Sequence, residues 1–168
     1  MPTVFLSGDL FRHEGLQALA HGCNCAGAMG KGIAVEFRSR FPEMYAEYKR
    51  RCADRRFALG DVFTWTDGDR TVFNLGTQQS WRSKADLLAV ERALRTMVEI
   101  AEQRGITQIG LPRIGAGLGG LSWQAVRSLL TRIGADTTVN LVVFEEFISA
   151  DPTVPSGGRT DTGPKLRS

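Results

Sequence analysis

The segment Pro-Arg-Ile-Gly-Ala-Gly-Leu-Gly-Gly-Leu, at residues 112–121, separates two stretches with different hydrophobic patterns. Residues 106–111 before it have the composition of a buried strand. Ser122 after it is typical of a helix N-cap, so we expect a helix from there to about residue 133, ended by Gly134. Glycines let a backbone approach a ligand closely and turn its N–H groups outward. The segment is therefore either a phosphate-binding loop or a tight turn without a ligand.

A second segment of this kind is Asn-Cys-Ala-Gly-Ala-Met-Gly-Lys-Gly-Ile-Ala at residues 24–34. It follows a short apolar strand predicted at residues 17–22 and opens a helix that continues to about Arg40. Two such loops in one small domain favour a clamp on a diphosphate over two plain turns. Residues 115–120 also match Gly-x-Gly-x-x-Gly, but only one helix and one strand follow, so the match to a dinucleotide-binding domain is weak.

Strand and helix patterns alternate through the rest of the chain. Further strands are predicted at residues 3–6, 62–65, 71–75 and 139–144, and Asp67-Gly68-Asp69 indicates a hairpin turn. Pro42 fits the first turn of a helix that runs to about residue 52. Ser83-x-x-Asp86 resembles a capping box before a long helix that stops at Gly105. This order predicts an α/β fold, a three-layer α/β/α domain on a central mixed sheet.

The composition is that of one ordinary globular domain, with 168 residues, 42% hydrophobic and 23% charged. We expect the domain to occupy residues 1–147, and residues 148–168, which have several helix breakers and little to bury, to be a disordered tail. There is no signal-peptide pattern and no stretch approaching the roughly 20 apolar residues of a membrane span. The sequence therefore predicts a cytoplasmic monomer that does not bind membranes.

Charge and cysteine content argue against several kinds of partner. The net charge is only +3, and no basic stripe interleaved with aromatic residues is visible, so a nucleic-acid partner is not expected. Cys23, Cys25 and Cys52 form no Cys-x-x-Cys pair, and the chain has two histidines. We interpret the cysteines as reduced packing residues and expect neither a metal nor a cofactor.

Three motifs in this order resemble the macrodomain family. They are Ser-Gly-Asp-Leu at residues 7–10, Asn24 with Met-Gly-Lys-Gly-Ile-Ala at 29–34 and Phe37, and Pro-Arg-Ile-Gly-Ala-Gly-Leu at 112–118. The resemblance covers about residues 3–145. It is strongest to the branch that contains the terminal ADP-ribose protein glycohydrolase and the antitoxin DNA-ADP-ribose glycohydrolases.

The resemblance implies a binding mode for ADP-ribose. Asp9 would accept a hydrogen bond from the adenine amino group beside the backbone N–H of Leu10, unless Asp9 is only a turn or helix cap. Phe144 or Glu145 would border the adenine, although Phe144 also suits a core position. Backbone groups of both glycine loops would hold the diphosphate and adjoining ribose. They belong to Met29, Gly30, Lys31, Gly32 and Ile33 in the first loop and to Gly115, Ala116, Gly117, Leu118 and Gly119 in the second.

The chain departs from the related hydrolases at two catalytic positions. Their lysine falls on Gln78 and their aspartate on Gly119, so a covalent lysine intermediate is not supported. Non-covalent chemistry remains, in which Asn24 and Gln78 orient a water or the hydroxyls of the distal ribose. Asn24 could instead be a turn amide. Lys84 would place positive charge near the leaving carboxylate, unless it is a solvated lysine at a helix start.

The resemblance thus implies a hydrolase that removes ester-linked mono-ADP-ribose from protein glutamate or aspartate. Its partners would be ADP-ribose and mono-ADP-ribosylated proteins. Three alternatives remain open at the level of sequence: a reader that binds ADP-ribose without turnover, a phosphatase on ADP-ribose-1″-phosphate, and a DNA-ADP-ribose hydrolase.

Overall fold

A mixed six-stranded sheet with four helices forms the domain. The computed structural model describes residues 3–150. In chain order the elements are β1 Val4–Gly8, β2 Ala18–Asn24, α1 Ala34–Arg40, α2 Pro42–Ala53, β3 Val62–Asp67, β4 Arg70–Gln78, α3 Leu87–Gln103, β5 Gln108–Leu111, α4 Trp123–Ala135 and β6 Asn140–Phe147.

The strand order in the sheet is β1-β6-β5-β2-β4-β3. All neighbours pair in parallel except β3, which forms the predicted antiparallel hairpin with β4 at one edge. The carboxyl ends of the five parallel strands therefore lie along one side of the sheet. In open α/β sheets this is the side on which ligands bind.

The helices cover both faces of the sheet, which confirms the predicted α/β/α layers. Leu94 of α3 and Leu130 of α4 belong to the core on one face. Phe37 of α1 and Tyr48 of α2 belong to the core on the other. Both cores are built from residues that are almost wholly removed from water, and such burial is the main stabilising contribution to a domain of this size.

The start of α3 differs from the prediction. Asp86, and not Ser83, is the N-cap, because Asp86 Oδ1 accepts hydrogen bonds from the backbone N–H groups of Leu88 at 2.9 Å and Ala89 at 3.4 Å. Ser83 Oγ instead lies 2.9 Å from Ser80 Oγ. The capping-box interpretation was therefore wrong, and residues 79–86 form a loop beside the carboxyl edge of the sheet.

Other boundaries agree to within a few residues. Ser122 caps α4, as expected, and Gly105 follows α3 with a φ of +72°. Strand β6 continues to Phe147, beyond the predicted end. Most of the predicted tail, residues 151–168, lies outside the described residues. Within residues 3–150, no helix has the length and apolar character needed to cross a membrane.

Candidate functional site

Two glycine loops lie next to each other at the carboxyl edge of the sheet. The first loop (residues 24–33) follows β2, and the second loop (residues 112–121) follows the adjacent strand β5. The side chain of Leu118 reaches the first loop, since a methyl group on Gly32 would lie 3.3 Å from Leu118 Cδ1. A Cβ on Gly30 or Gly117 would meet no atom within 4 Å. The two loops therefore lie side by side with open space at these two glycines, and we refer to the space between the loops as the cleft.

Consecutive backbone N–H groups in both loops have no acceptor among residues 3–150. In the first loop these are the amides of residues 29–33, and in the second loop those of residues 117–119. Hydrogen bonding resumes at Val35 and at Gly120. Runs of unpaired amides in glycine-rich loops form concave anion-binding sites. Both walls of the cleft thus present donors suited to phosphate oxygens.

The Asn24 side chain stabilises the first loop by hydrogen bonds to the backbone of that loop. Its Nδ2 donates to the carbonyl of Ala28 at 2.8 Å, and its Oδ1 accepts from the N–H of Ala26 at 2.9 Å. The Tyr48 hydroxyl donates to the Asn24 carbonyl at 2.7 Å, and burial raises the pKa of this phenol, so it remains a donor. Both ends of the Asn24 amide are engaged inside the loop. Asn24 thus acts as a turn amide that positions the first loop, which was the alternative given for it. Its contact with the distal ribose stays a prediction, since the second hydrogen of Nδ2 has no acceptor among the described residues.

Gln78 ends β4 beside the first loop, in register with Asn24. Its Nε2 donates to the carbonyls of Ser80 at 2.9 Å and Ser83 at 3.0 Å, which holds the loop of residues 79–86. Its Oε1 accepts no hydrogen bond from the described part of the chain. This oxygen is consequently available to a water molecule or a sugar hydroxyl at the end of the cleft.

Gly119 is enclosed by its neighbours. A Cβ there would lie 2.5 Å from the Gly115 carbonyl oxygen and 2.9 Å from Ala85 Cβ. The Gly119 carbonyl also accepts the N–H of Ala85 at 2.8 Å, which joins the second loop to residues 79–86. A side chain at position 119 would therefore clash with the backbone of the second loop.

A cluster of cations surrounds an exposed aromatic ring at the mouth of the cleft. Lys31 Nζ lies 5.7 Å and Arg82 Cζ 4.7 Å from the centroid of the Trp81 ring, which is 56% exposed. The stem of Lys84 runs along Gly120. None of these three cations forms an ion pair with the described residues. The net charge of the whole chain, +3, gives no indication of this local excess of positive charge.

Asp9 lies at the far end of the same edge, after β1. Its Oδ1 accepts the N–H of Phe11 and its Oδ2 that of Ala150, both at 2.9 Å, and its side chain is almost buried. The N–H of Leu10 has no acceptor within residues 3–150. A free donor therefore lies beside a carboxylate, the pair that the sequence predicted.

Phe144 and Glu145, the two residues predicted to border the adenine, both have partners within the protein. Phe144 is 1% exposed and belongs to the core, where the ring of His13 covers it with centroids 5.5 Å apart. Glu145 accepts hydrogen bonds from Trp123 and Arg127 of α4, and the Trp123 bond in particular lowers the pKa of its carboxyl group. His13 is thus an exposed ring in contact with Phe144 at this end. No sequence signal marks it, since a single histidine in a loop has no periodicity.

A second polar cluster consists of the buried residues His21, Cys23 and Asn74, and it lacks the properties of a catalytic site. His21 Nε2 lies 2.7 Å from Asn74 Oδ1 and 3.5 Å from Cys23 Sγ, and the imidazole stacks on Phe37 at 3.8 Å. Burial lowers the pKa of His21 to about 4 and raises that of the Cys23 thiol. A buried neutral thiol is a poor nucleophile. The three cysteines form no disulfide, and residues 3–150 contain no group of three or more His, Cys, Asp or Glu able to hold a metal.

Comparison with known proteins places these features in context. The family model "Macro domain" matches residues 20–130. A DNA ADP-ribosyl glycohydrolase of Mycobacterium tuberculosis is 31% identical over 158 residues, covering 90% of this chain but only 42% of that protein. The human ADP-ribose glycohydrolase OARD1 is 27% identical, covering 84% and 90%. The solved macrodomain of Mycobacterium tuberculosis DarG superposes with a TM-score of 0.80 at 30% identity, covering 84% of this chain and 96% of that one.

Proposed function

The chain belongs to the macrodomain family, and from that premise we propose that its cleft binds ADP-ribose and that the protein hydrolyses an ADP-ribosyl linkage. The facing amide runs at residues 29–33 and 117–119 carry this proposal. They offer donors to both phosphates of a diphosphate from opposite sides. The open space at Gly30 and Gly117 lets the phosphates approach the backbone.

The order of the strands supports one orientation of the ligand. Along the edge, Asp9 follows β1, the two glycine loops follow β5 and β2, and Gln78 ends β4. Adenosine, diphosphate and distal ribose occur in that same order in ADP-ribose. The adenine would thus lie at Asp9 and Leu10, and the anomeric carbon of the distal ribose near Gln78.

The chemistry is a direct displacement by water. Gln78 Oε1 accepts a hydrogen bond from the attacking water or from a ribose hydroxyl, and so orients it. Water adds to the anomeric carbon, the bond from that carbon to the leaving oxygen breaks, and the water proton passes to solvent. A glutamate or aspartate ester is the substrate that fits best, because a carboxylate leaves without being protonated. Lys84 supplies positive charge as the carboxylate departs.

A single-turnover assay on a peptide with mono-ADP-ribosylated glutamate tests this proposal. We expect release of ADP-ribose well above the spontaneous rate and no sugar adduct trapped by borohydride. Gln78→Ala should lower the rate about 10- to 1000-fold while ADP-ribose binding changes much less. Gln79→Ala is the matched control, because this neighbouring glutamine is exposed. A wild-type rate equal to the spontaneous rate would leave only a reader.

The cation cluster at the mouth favours ADP-ribosylated DNA as a second candidate substrate. Trp81 offers a stacking surface to a nucleobase, and Lys31, Arg82 and Lys84 offer unpaired charge to phosphates. The expectation that nucleic acid is not a partner rested on the low net charge and on the absence of a basic stripe interleaved with aromatic residues, and neither criterion detects so small a cluster. Hydrolysis of an ADP-ribosylated single-stranded oligonucleotide, compared with the peptide at low and high salt, separates the two. A DNA substrate would show a steep loss of rate as salt rises, and the peptide a shallow one.

A further inference from the structure

We propose that the residues that follow β6 form a strap over the adenine end of the cleft, and that an adenine nucleotide displaces this strap when it binds. The inference rests on the proposed function, since it takes Asp9 as the acceptor for adenine. The strap consists of residues 148–150, which are the last residues described.

Two hydrogen bonds define the strap. The N–H of Ile148 donates to the Gly8 carbonyl at 2.9 Å, which extends the contact with β1 by one step past the end of β6. The N–H of Ala150 then donates to Asp9 Oδ2 at 2.9 Å. Asp9 Oδ1 is already engaged with Phe11. The strap therefore lies directly against Oδ2, the oxygen that Phe11 leaves without a partner.

Of the two groups that adenine would contact, only Asp9 has a hydrogen-bond partner in the strap. The Leu10 N–H keeps no partner among the described residues, whereas the Asp9 carboxylate is 8% exposed beneath the strap. Adenine would use both groups: its amino group donates to the Asp9 carboxylate, and its adjacent ring nitrogen accepts the N–H of Leu10. Because the strap leaves Asp9 only 8% exposed, Ala150 must move away from Asp9 before an adenine ring can reach the carboxylate. It lies beyond the last residue of β6, so its departure breaks no strand pair.

The strap affects the binding of only the adenine half of ADP-ribose. AMP, which carries adenine, must exchange the Ala150 hydrogen bond for its own. Ribose 5-phosphate lacks adenine and binds toward the glycine loops and Gln78. The strap therefore weakens the binding of adenine nucleotides without changing the affinity for the distal half of ADP-ribose.

Amide hydrogen exchange in the full chain, with and without saturating ADP-ribose, tests the displacement. We expect the Leu10 amide to become protected and the Ala150 amide to exchange about 10-fold faster or more, because ligand replaces one bond and releases the other. Protection of Leu10 and of the glycine loops with no change at Ala150 would overturn the strap and keep the proposed function. No change at the glycine loops would overturn the proposed function, and the strap with it.

A substitution at residue 150 gives a second readout. Ala150→Pro removes the donating N–H, and Ala150→Gly retains it as the matched control. Titration of AMP should show about 10- to 100-fold tighter binding to Ala150→Pro than to the wild type, the range expected for release of one hydrogen bond to a charged group. Binding of ribose 5-phosphate should be equal in all three proteins. Equal or weaker AMP binding by the proline variant would contradict the strap.

Discussion

His21 shows how a single buried residue couples stability to pH. Burial lowers its pKa from 6.5 to about 4, so between these pH values the unfolded chain binds a proton that the folded chain does not. The stability that this group contributes is therefore present above pH 6.5 and is lost as the pH falls toward 4. The full loss is about 3 kcal/mol in the free energy of unfolding.

Urea unfolding at several pH values between 4 and 7 measures this dependence. The free energy of unfolding of the wild type should fall more steeply with decreasing pH than that of His21→Gln. His13→Gln, which removes the only other histidine, an exposed one, should retain the wild-type steepness. Parallel curves for the wild type and His21→Gln would show that His21 is not held neutral by burial.

Single residues were the hardest features to predict from sequence. Asp9 is predicted from its motif to accept a hydrogen bond from adenine, and this stays a prediction; the Leu10 N–H beside it has no acceptor among residues 3–150. Asn24 was also predicted to contact the distal ribose, and its hydrogen bonds to Ala28 and Tyr48 support the turn-amide alternative without testing that contact. A motif shows where a residue lies along the chain. It does not show which partners, distant in sequence, already satisfy its polar atoms.

At the level of elements, the N-terminus of α3 offers a direct test of the corrected cap. Asp86→Ala should lower the free energy of unfolding by about 1 kcal/mol, because the N–H groups of Leu88 and Ala89 lose their acceptor. Ser83→Ala is the control, since Ser83 lies in the preceding loop and should cost clearly less. Chemical denaturation measures both. A larger cost for Ser83→Ala than for Asp86→Ala would restore the capping-box interpretation.

The elements themselves were largely predictable because their signals are local. Hydrophobic periodicity, Pro42, Gly105 and Ser122 marked strands and helices to within a few residues. The error at Ser83 has a tertiary cause. Gln78 holds the carbonyls of Ser80 and Ser83, which keeps this stretch in a loop until Asp86. Such contacts override a capping pattern and are invisible in the sequence.

At the scale of the whole molecule, strand order determines what the loops can do together. Residues 34–111 separate the two glycine loops in the chain, yet the loops follow the adjacent strands β2 and β5. The sequence predicted two phosphate-binding loops from their composition. Only the order β1-β6-β5-β2-β4 aligns them with Asp9 at one end and Gln78 at the other. That alignment is a property of topology, which local patterns do not contain.

Calorimetric titration with ADP-ribose, into the wild type and into Gly117→Val, tests the central claim that the cleft between the glycine loops binds this ligand. Gly117 does not have a left-handed φ, and a Cβ there meets no protein atom within 4 Å, so the variant should fold and retain its circular dichroism. We expect saturable one-to-one binding to the wild type. The variant should bind at least about 100-fold more weakly, because the valine fills the space that the phosphates need. No binding to the wild type, or equal affinity in a folded variant, would contradict the account.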